Sequence, residues 1–206
     1  MNPRILVMLL PLVLGGCWLS SVEAEEYAVY PLEAGAQRTR GEPVSWQLSI
    51  EEPVAATPLA NTRIAVRDAE RAYIVLAGAR WSERAPELVQ SALLRSFEDS
   101  GRIRGVVRGT SGVHGDYRLL IELRAFEADY DNGSAPAANI MLSAKLVRTV
   151  GTRVVDARLF HQRERAKGGD VSAIVAAFDR AAARLLPELR DWTLAAGEAD
   201  WRATQR

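Results

Sequence analysis

Tyr117-Arg118-Leu119-Leu120-Ile121-Glu122-Leu123-Arg124 sets Tyr117, Leu119, Ile121 and Leu123 on one side of an extended chain. Arg118, Leu120, Glu122 and Arg124 fall on the other. Alternation with a period of two marks a strand with one face against a core. Ile140, Leu142, Ala144 and Leu146 repeat the pattern after an Asp131-Asn132-Gly133 turn, and Val155, Ala157 and Leu159 repeat it after a turn at Gly151. Three such runs predict an antiparallel meander.

Two helical stretches flank that meander. In residues 171–192, Val171, Ile174, Val175, Phe178, Ala182, Leu185, Leu189 and Trp192 recur at steps of three and four behind an Asp170 cap, an amphipathic helix. Pro187 removes a ladder hydrogen bond and predicts a kink or a split near Leu186. Residues 197–206 read as a frayed tail. Upstream, residues 82–100 read as a second helix, with Ser82 as N-cap and Gly101 as left-handed C-cap. Ala92 joins Val89, Leu93 and Phe97 on its apolar stripe, and Glu87, Gln90, Arg95 and Asp99 fall on the face assigned to solvent.

Before that helix the chain reads as short strands at 27–32, 45–50, 62–67 and 72–77, and 102–108 gives a further one after it. The strand at 45–50 has Trp46, Leu48 and Ile50 on one face. Residues 37–43 and 109–115 read as loops, and Pro53 and Pro58 punctuate a linker-like stretch. Strands, a helix, a meander and a helix make a single α+β domain: an antiparallel or mixed sheet with two main amphipathic helices packed on one face.

The N-terminus lies outside that domain. One positive charge at Arg4 precedes ten uncharged residues, 5–14, and then Leu14-Gly15-Gly16-Cys17. This order matches a secretory signal. Ten residues of helix reach only ~15 Å, about half of a bilayer's ~30 Å hydrocarbon core. Leu14 to Cys17 looks like a lipobox, where bacterial lipoprotein peptidase cleaves before a diacylglyceryl-modified cysteine. The competing reading is an ordinary signal with a chance cysteine, or a buried thiol. Cys17 is the chain's one cysteine and stands where the lipobox needs it. The expected division is a signal peptide at 1–16, lipidated Cys17 and a tether at 17–26, a folded domain at 27–197 and a tail at 198–206. Acyl chains such as palmitate would anchor it, two or more being needed for stable attachment. Trp18 in place of aspartate favours the outer membrane, facing the periplasm, over inner-membrane anchoring.

Chemistry-bearing patterns are few. Lys plus Arg equals Asp plus Glu at 26 each, which favours neither nucleic acid nor a broadly anionic surface. With one cysteine there is no internal disulfide. His114 in a glycine-rich loop and His161 on a strand have no metal-ligand spacing around them, so no metal or cofactor is expected. The Gly109-Thr110-Ser111-Gly112 loop lacks the ending of a P-loop and precedes a strand. Asp129-Tyr130-Asp131-Asn132-Gly133 superficially suggests a calcium loop, but its twelfth position is Ile140, not glutamate. No nucleophile-elbow pattern surrounds any serine. No enzyme is recognisable and no catalytic residue is assigned. Trp46, Tyr73, Trp81, Tyr117, Phe126 and Tyr130, at strand and loop ends, are read as core and edge fillers in preference to partner contacts.

The middle of the chain resembles a known family. Pro53-Val54-Ala55, Pro58-Leu59-Ala60-Asn61-Thr62-Arg63-Ile64, Tyr73, Ala79-Arg80-Trp81-Ser82, Pro86-Glu87-Leu88-Val89-Gln90 and Phe97-Glu98-Asp99-Ser100-Gly101 resemble the ABC-type transport auxiliary lipoproteins. That group includes the lipoprotein of paraquat-inducible (Pqi) systems. Asp116-Tyr117-Arg118-Leu119, the run from Glu122 to Glu127 and the closing helix to Trp192 continue the likeness. It implies a non-enzymatic lipoprotein beside an ABC permease and ATPase whose partner subunit carries an MCE (mammalian cell entry) domain. Such systems move lipids or other hydrophobic molecules across the cell envelope. The family has no accepted catalytic residues to carry over. The domain would then scaffold, presenting a surface to the MCE subunit or to further copies of itself as a homo-oligomer. Two other readings remain: a lipoprotein that itself holds a hydrophobic ligand in an apolar cavity, and a cell-envelope hydrolase.

Overall fold

The computed structural model describes residues 26–35, 38–39, 41–131 and 135–206. Cys17, the signal and the tether up to residue 25 lie outside the described residues.

The centre of the sheet is β7 (Tyr117–Asp129), which pairs along its length with antiparallel β8 (Ala137–Arg148). That strand in turn pairs with β9 (Arg153–Arg165). The meander therefore forms as its alternation predicts. The opposite edge of β7 is tiled by three short parallel strands. These are β2 (Leu48–Ile50) on Tyr117–Leu119, β3 (Val54–Ala55) on Glu122 and Leu123, and β4 (Arg63–Arg67) on Glu127–Asp129. Beyond β2 lies β6 (Val106–Arg108), parallel to it. Beyond β4 lies antiparallel β5 (Tyr73–Trp81), and β1 (Ala28–Tyr30) pairs parallel with β5. The sheet is mixed, and the prolines explain its tiled edge. Proline cannot donate to a ladder, so Pro53 and Pro58 break what would be one long strand into pieces. The stretch read as linker thus contains β3. Asn61 closes the turn behind it, donating to the Thr57 and Pro58 carbonyls and accepting from the Arg63 N–H.

Two helices cover one face, α1 (Ala85–Ser100) and α2 (Val171–Thr204). Between helices and sheet, the rings of Trp81, Phe126 and Phe178 meet at centroid distances of 5.0–5.4 Å. Tyr117, Leu119, Ile121 and Leu123 are all buried. A register shift between Leu123 and Ala125 then changes the phase, so Phe126 and Ala128 continue the core stripe.

Four local expectations change. Helix α1 begins after Arg84 without a side-chain cap, because Ser82 still belongs to the strand end, its N–H donating to the Tyr30 carbonyl. Pro86 in the first turn needs no N–H partner, and the Ala85 N–H finds the Asn61 carbonyl. Gln90, assigned to the solvated face, is buried. Its amide donates to the Ile50 carbonyl at 2.9 Å and accepts from Arg108. In β9 the buried residue is Phe160, whereas Leu159 is exposed; a register shift at Leu146/Val147 inserts one residue and reverses the face. That edge strand overhangs the polar flank of α2, where Arg158 meets Glu188 and Trp192 donates to Asp156.

The fourth change concerns α2. It starts on the Asp170 cap, which accepts from the Ala173 N–H, but it is one helix through Pro187, and it extends to Thr204 where a tail was expected. Two contacts hold the last turns down. Gly197 lies flat on Trp46, and Asp200 accepts from Arg148, Arg153 and the Tyr117 hydroxyl. Gly197→Ala tests the first. Helix propensity favours alanine by about 1 kcal/mol, but a Cβ would sit 2.5 Å from the Trp46 ring, which is 1 % exposed and cannot yield. Overpacking of this kind costs about 1–3 kcal/mol. We expect a net loss near 1 kcal/mol in denaturant titration; a stabilised variant would contradict this packing.

Candidate functional surface

The aromatic residues singled out in the sequence separate into two groups. Trp46, Trp81, Tyr117 and Phe126 are core, at 2 % exposure or less, and Tyr130 is half-buried. Tyr73 is 43 % exposed. It belongs to a group that sequence patterning did not single out: Tyr27, Val29, Ile74 and Val75 are likewise about half exposed. All five lie on β1 and β5 or beside them. The sequence signal was the apolar run Tyr73-Ile74-Val75-Leu76-Ala77, which reads equally well as a buried strand. β1 covers only Ala79–Trp81 of its neighbour, so the outer edge of β5 before that is open. Arg80 stacks on the Tyr27 ring at 4.0 Å.

The sheet face away from the helices carries a polar chain. Glu127, on β7, is fully buried although no helix covers that face. Its Oε2 accepts the Phe126 N–H at 2.8 Å, satisfying the donor that the bulge frees, and its Oε1 accepts from Asn139 at 2.7 Å. Asn139 Oδ1 lies 2.8 Å from His161 Nε2. An amide between carboxylate and imidazole does not relay protons, so this arrangement pins the bulge. Burial raises the Glu127 pKa against the pull of Asn139, the Phe126 N–H and Arg67, and Tyr73 is raised by its own burial and by Glu127.

The raised Glu127 pKa has a sign for stability. Between the ordinary carboxylate value and the raised one, the folded chain holds more protons than the unfolded chain, so stability falls as pH rises through that window. Glu127→Gln keeps an acceptor for Phe126, and Asn139 turns its amide to match, with His161 accepting in its other tautomer. The variant should therefore gain on the parent as pH rises through that window and above it, read as Tm from pH 4 to 8. Asp179, also raised by burial, leaves part of the slope in place. An unchanged pH profile would refute the assignment.

At the other end, Tyr117 is pushed up to about 12 by burial and by Asp200. Burial raises Asp200, but hydrogen bonds from Arg148, Tyr117 and Arg153 outweigh it and hold the carboxyl below its ordinary range. His114 lies exposed in its loop. The Asp131-Asn132-Gly133 turn is described only at Asp131, which pairs with Arg163 and Arg165. Among the described residues no group of three or more His, Cys, Asp or Glu side chains could hold a metal ion. No helix there is long and apolar enough to cross a membrane. The space between sheet and helices is filled by side chains. The depression lined by Glu42–Gln47, Arg104 and Gly105 opens on the surface, so it offers no enclosed apolar chamber.

A family model described as the ABC-type transport auxiliary lipoprotein component matches residues 27–189. The crystal structure of protein XCC0632 from Xanthomonas campestris superposes with a TM-score of 0.80 at 36 % identity, covering 85 % of this chain and 99 % of that one. A crystal structure of an uncharacterized protein shares the fold at 15 % identity and a TM-score of 0.63, over 81 % of this chain and 98 % of the other. An uncharacterized protein of Bradyrhizobium diazoefficiens is 35 % identical over 156 residues, 74 % of this chain. The chain spans 41 % of the length of that curated relative.

Proposed function

Since the chain belongs to the ABC-type transport auxiliary lipoprotein family, we propose that it is the lipid-anchored auxiliary subunit of an MCE-type ABC system. The system carries lipids or other hydrophobic molecules across the cell envelope. The family match over residues 27–189, with the lipobox-like Leu14-Gly15-Gly16-Cys17 ahead of it, is the observation that carries this reading. In it Cys17 is the acylated residue, the outer membrane holds the acyl chains, and the domain faces the periplasm.

The subunit's work is scaffolding. A filled core and a rigid mixed sheet suit a docking module, whose affinity comes from a few buried anchors at the centre of an interface. The role needs no catalytic group and no cofactor. Affinity purification of the native lipoprotein from solubilised envelopes tests it: the MCE subunit, permease and ATPase should be enriched together. A preparation that retains the acylated protein and enriches none of the three defeats the proposal.

A further inference from the structure

We infer that the β1–β5 edge is a membrane-docking surface, which lays the domain against anionic phospholipid headgroups beside its own lipid anchor. The inference rests on the anchor proposed above, and three independent features of the fold support it.

The first is reach. Eight residues lie between Cys17 and Glu26, so nine chain steps span at most ~30 Å when fully extended. Strand β7, with 13 residues, is ~40 Å long, so the anchor cannot let both ends of the sheet approach the lipid equally. β1 runs parallel to β5, and its start therefore points toward the end of the sheet where Tyr73 pairs with Arg67 and Arg67 with Asp129. The described chain therefore enters β1 from that side. The opposite end, with Val113 in its loop and Val150 in the β8–β9 turn, is directed away from the membrane.

The second is composition. Tyr27, Val29, Tyr73, Ile74 and Val75 expose about half of their surface along one edge. Tyrosines among aliphatic residues are the pattern favoured at the level of lipid headgroups. Around them stand Arg63, Arg67, Arg71 and Arg80, none of which forms an ion pair among the described residues. By contrast, the acids on the adjoining end, Asp129 and Asp131, are taken by Arg163 and Arg165. Glu26, Asp68 and Glu70 are the acids of the edge itself, Asp68 being engaged by the Ala72 N–H, and the sequence leading to the edge adds Glu23 and Glu25. Guanidinium groups outside ion pairs, that of Arg80 stacked on Tyr27, stand beside exposed apolar side chains and match an anionic interface, where each arginine near the surface strengthens attachment about fivefold.

The third feature argues against a further strand as the occupant. Gly78 has φ +69 in the middle of β5, and the register with β4 shifts between Arg63 and Ala65. Bulges of this kind twist an edge away from pairing and protect it from strand addition.

The test uses the full acylated chain in vesicles. Acylation consumes Cys17, so Ile74→Cys and Val150→Cys each introduce a single reactive thiol at an exposed position. An environment-sensitive fluorophore at 74 should shift to the blue in vesicles containing phosphatidylglycerol and shift less in pure phosphatidylcholine. At 150 it should stay water-like in both. Replacing all four arginines (R63Q, R67Q, R71Q and R80Q) should lower the docked-to-undocked ratio by about fivefold for each arginine that meets a headgroup, abolishing the phosphatidylglycerol dependence. Water-like emission at 74 in floated vesicles overturns the docking surface while leaving the anchor intact. A blue shift at 74 that disappears on diluting the protein at constant lipid overturns it in favour of a second copy. A chain that does not float with vesicles removes the anchor, and the docking surface with it.

Discussion

Cys17→Ser is expected, on the outer-membrane anchoring proposed above, to remove the protein from the outer-membrane fraction entirely. On the acylation proposed for Cys17, serine offers no thiol for the diacylglyceryl group, and the variant lacks acyl chains that would each contribute about 0.8 kcal/mol per buried CH2. No described helix can replace them as a membrane span. The effect should be complete, and it should leave the domain folded, because all the described packing lies downstream of residue 25. Fractionation of envelopes, with incorporation of labelled palmitate, reads the result directly. A parent protein that takes up no label, or a variant that stays in the outer membrane, would refute the role given to this residue.

Phe178→Ala should produce the largest loss of stability. The ring is fully buried, and it stands 5.1 Å from Trp81 at 82° and 5.0 Å from Phe126. Truncating a buried phenylalanine costs about 3–5 kcal/mol, and two aromatic partners place this site toward the upper end. Total stabilities of about 5–15 kcal/mol make that a large fraction, corresponding to a fall in Tm of roughly 10 °C for a domain of this size. Phe178→Leu, which keeps most of the volume, should cost far less. Near-equal midpoints for the alanine and parent chains in a denaturant titration would show that α2 does not pack on the sheet through this ring.

Helix α2 shows where local reading succeeds and where it fails. The stripe from Val171 to Trp192 and the Asp170 cap are visible in the sequence because both depend on neighbours within a turn or two. The fate of residues 197–204 depends on Trp46, Tyr117 and Arg148, more than fifty positions away, and local composition suggested fraying. Ser82 fails for the same reason: a good capping residue lost to a strand hydrogen bond with Tyr30. The meander was legible because alternation is local, but the faces of β9 were not, since the bulge opposite Leu146 shifts the phase without any signature in the pattern.

The candidate surface divides in the same way. The lipobox-like Leu14-Gly15-Gly16-Cys17 is a linear pattern, and no folding is needed to recognise it. Tyr73-Ile74-Val75 is an apolar strand in the sequence whether or not it is covered. Only the tertiary structure decides that β1 pairs with Ala79–Trp81 alone and leaves the earlier part of β5 open. The helical periodicity and the Asp170 cap, each set by residues close together, were determined by the sequence itself. Which strands tile the edge of β7, how far α2 extends and which apolar residues face solvent were decided by contacts between distant segments, whose geometry exists only once the sheet has closed around its core.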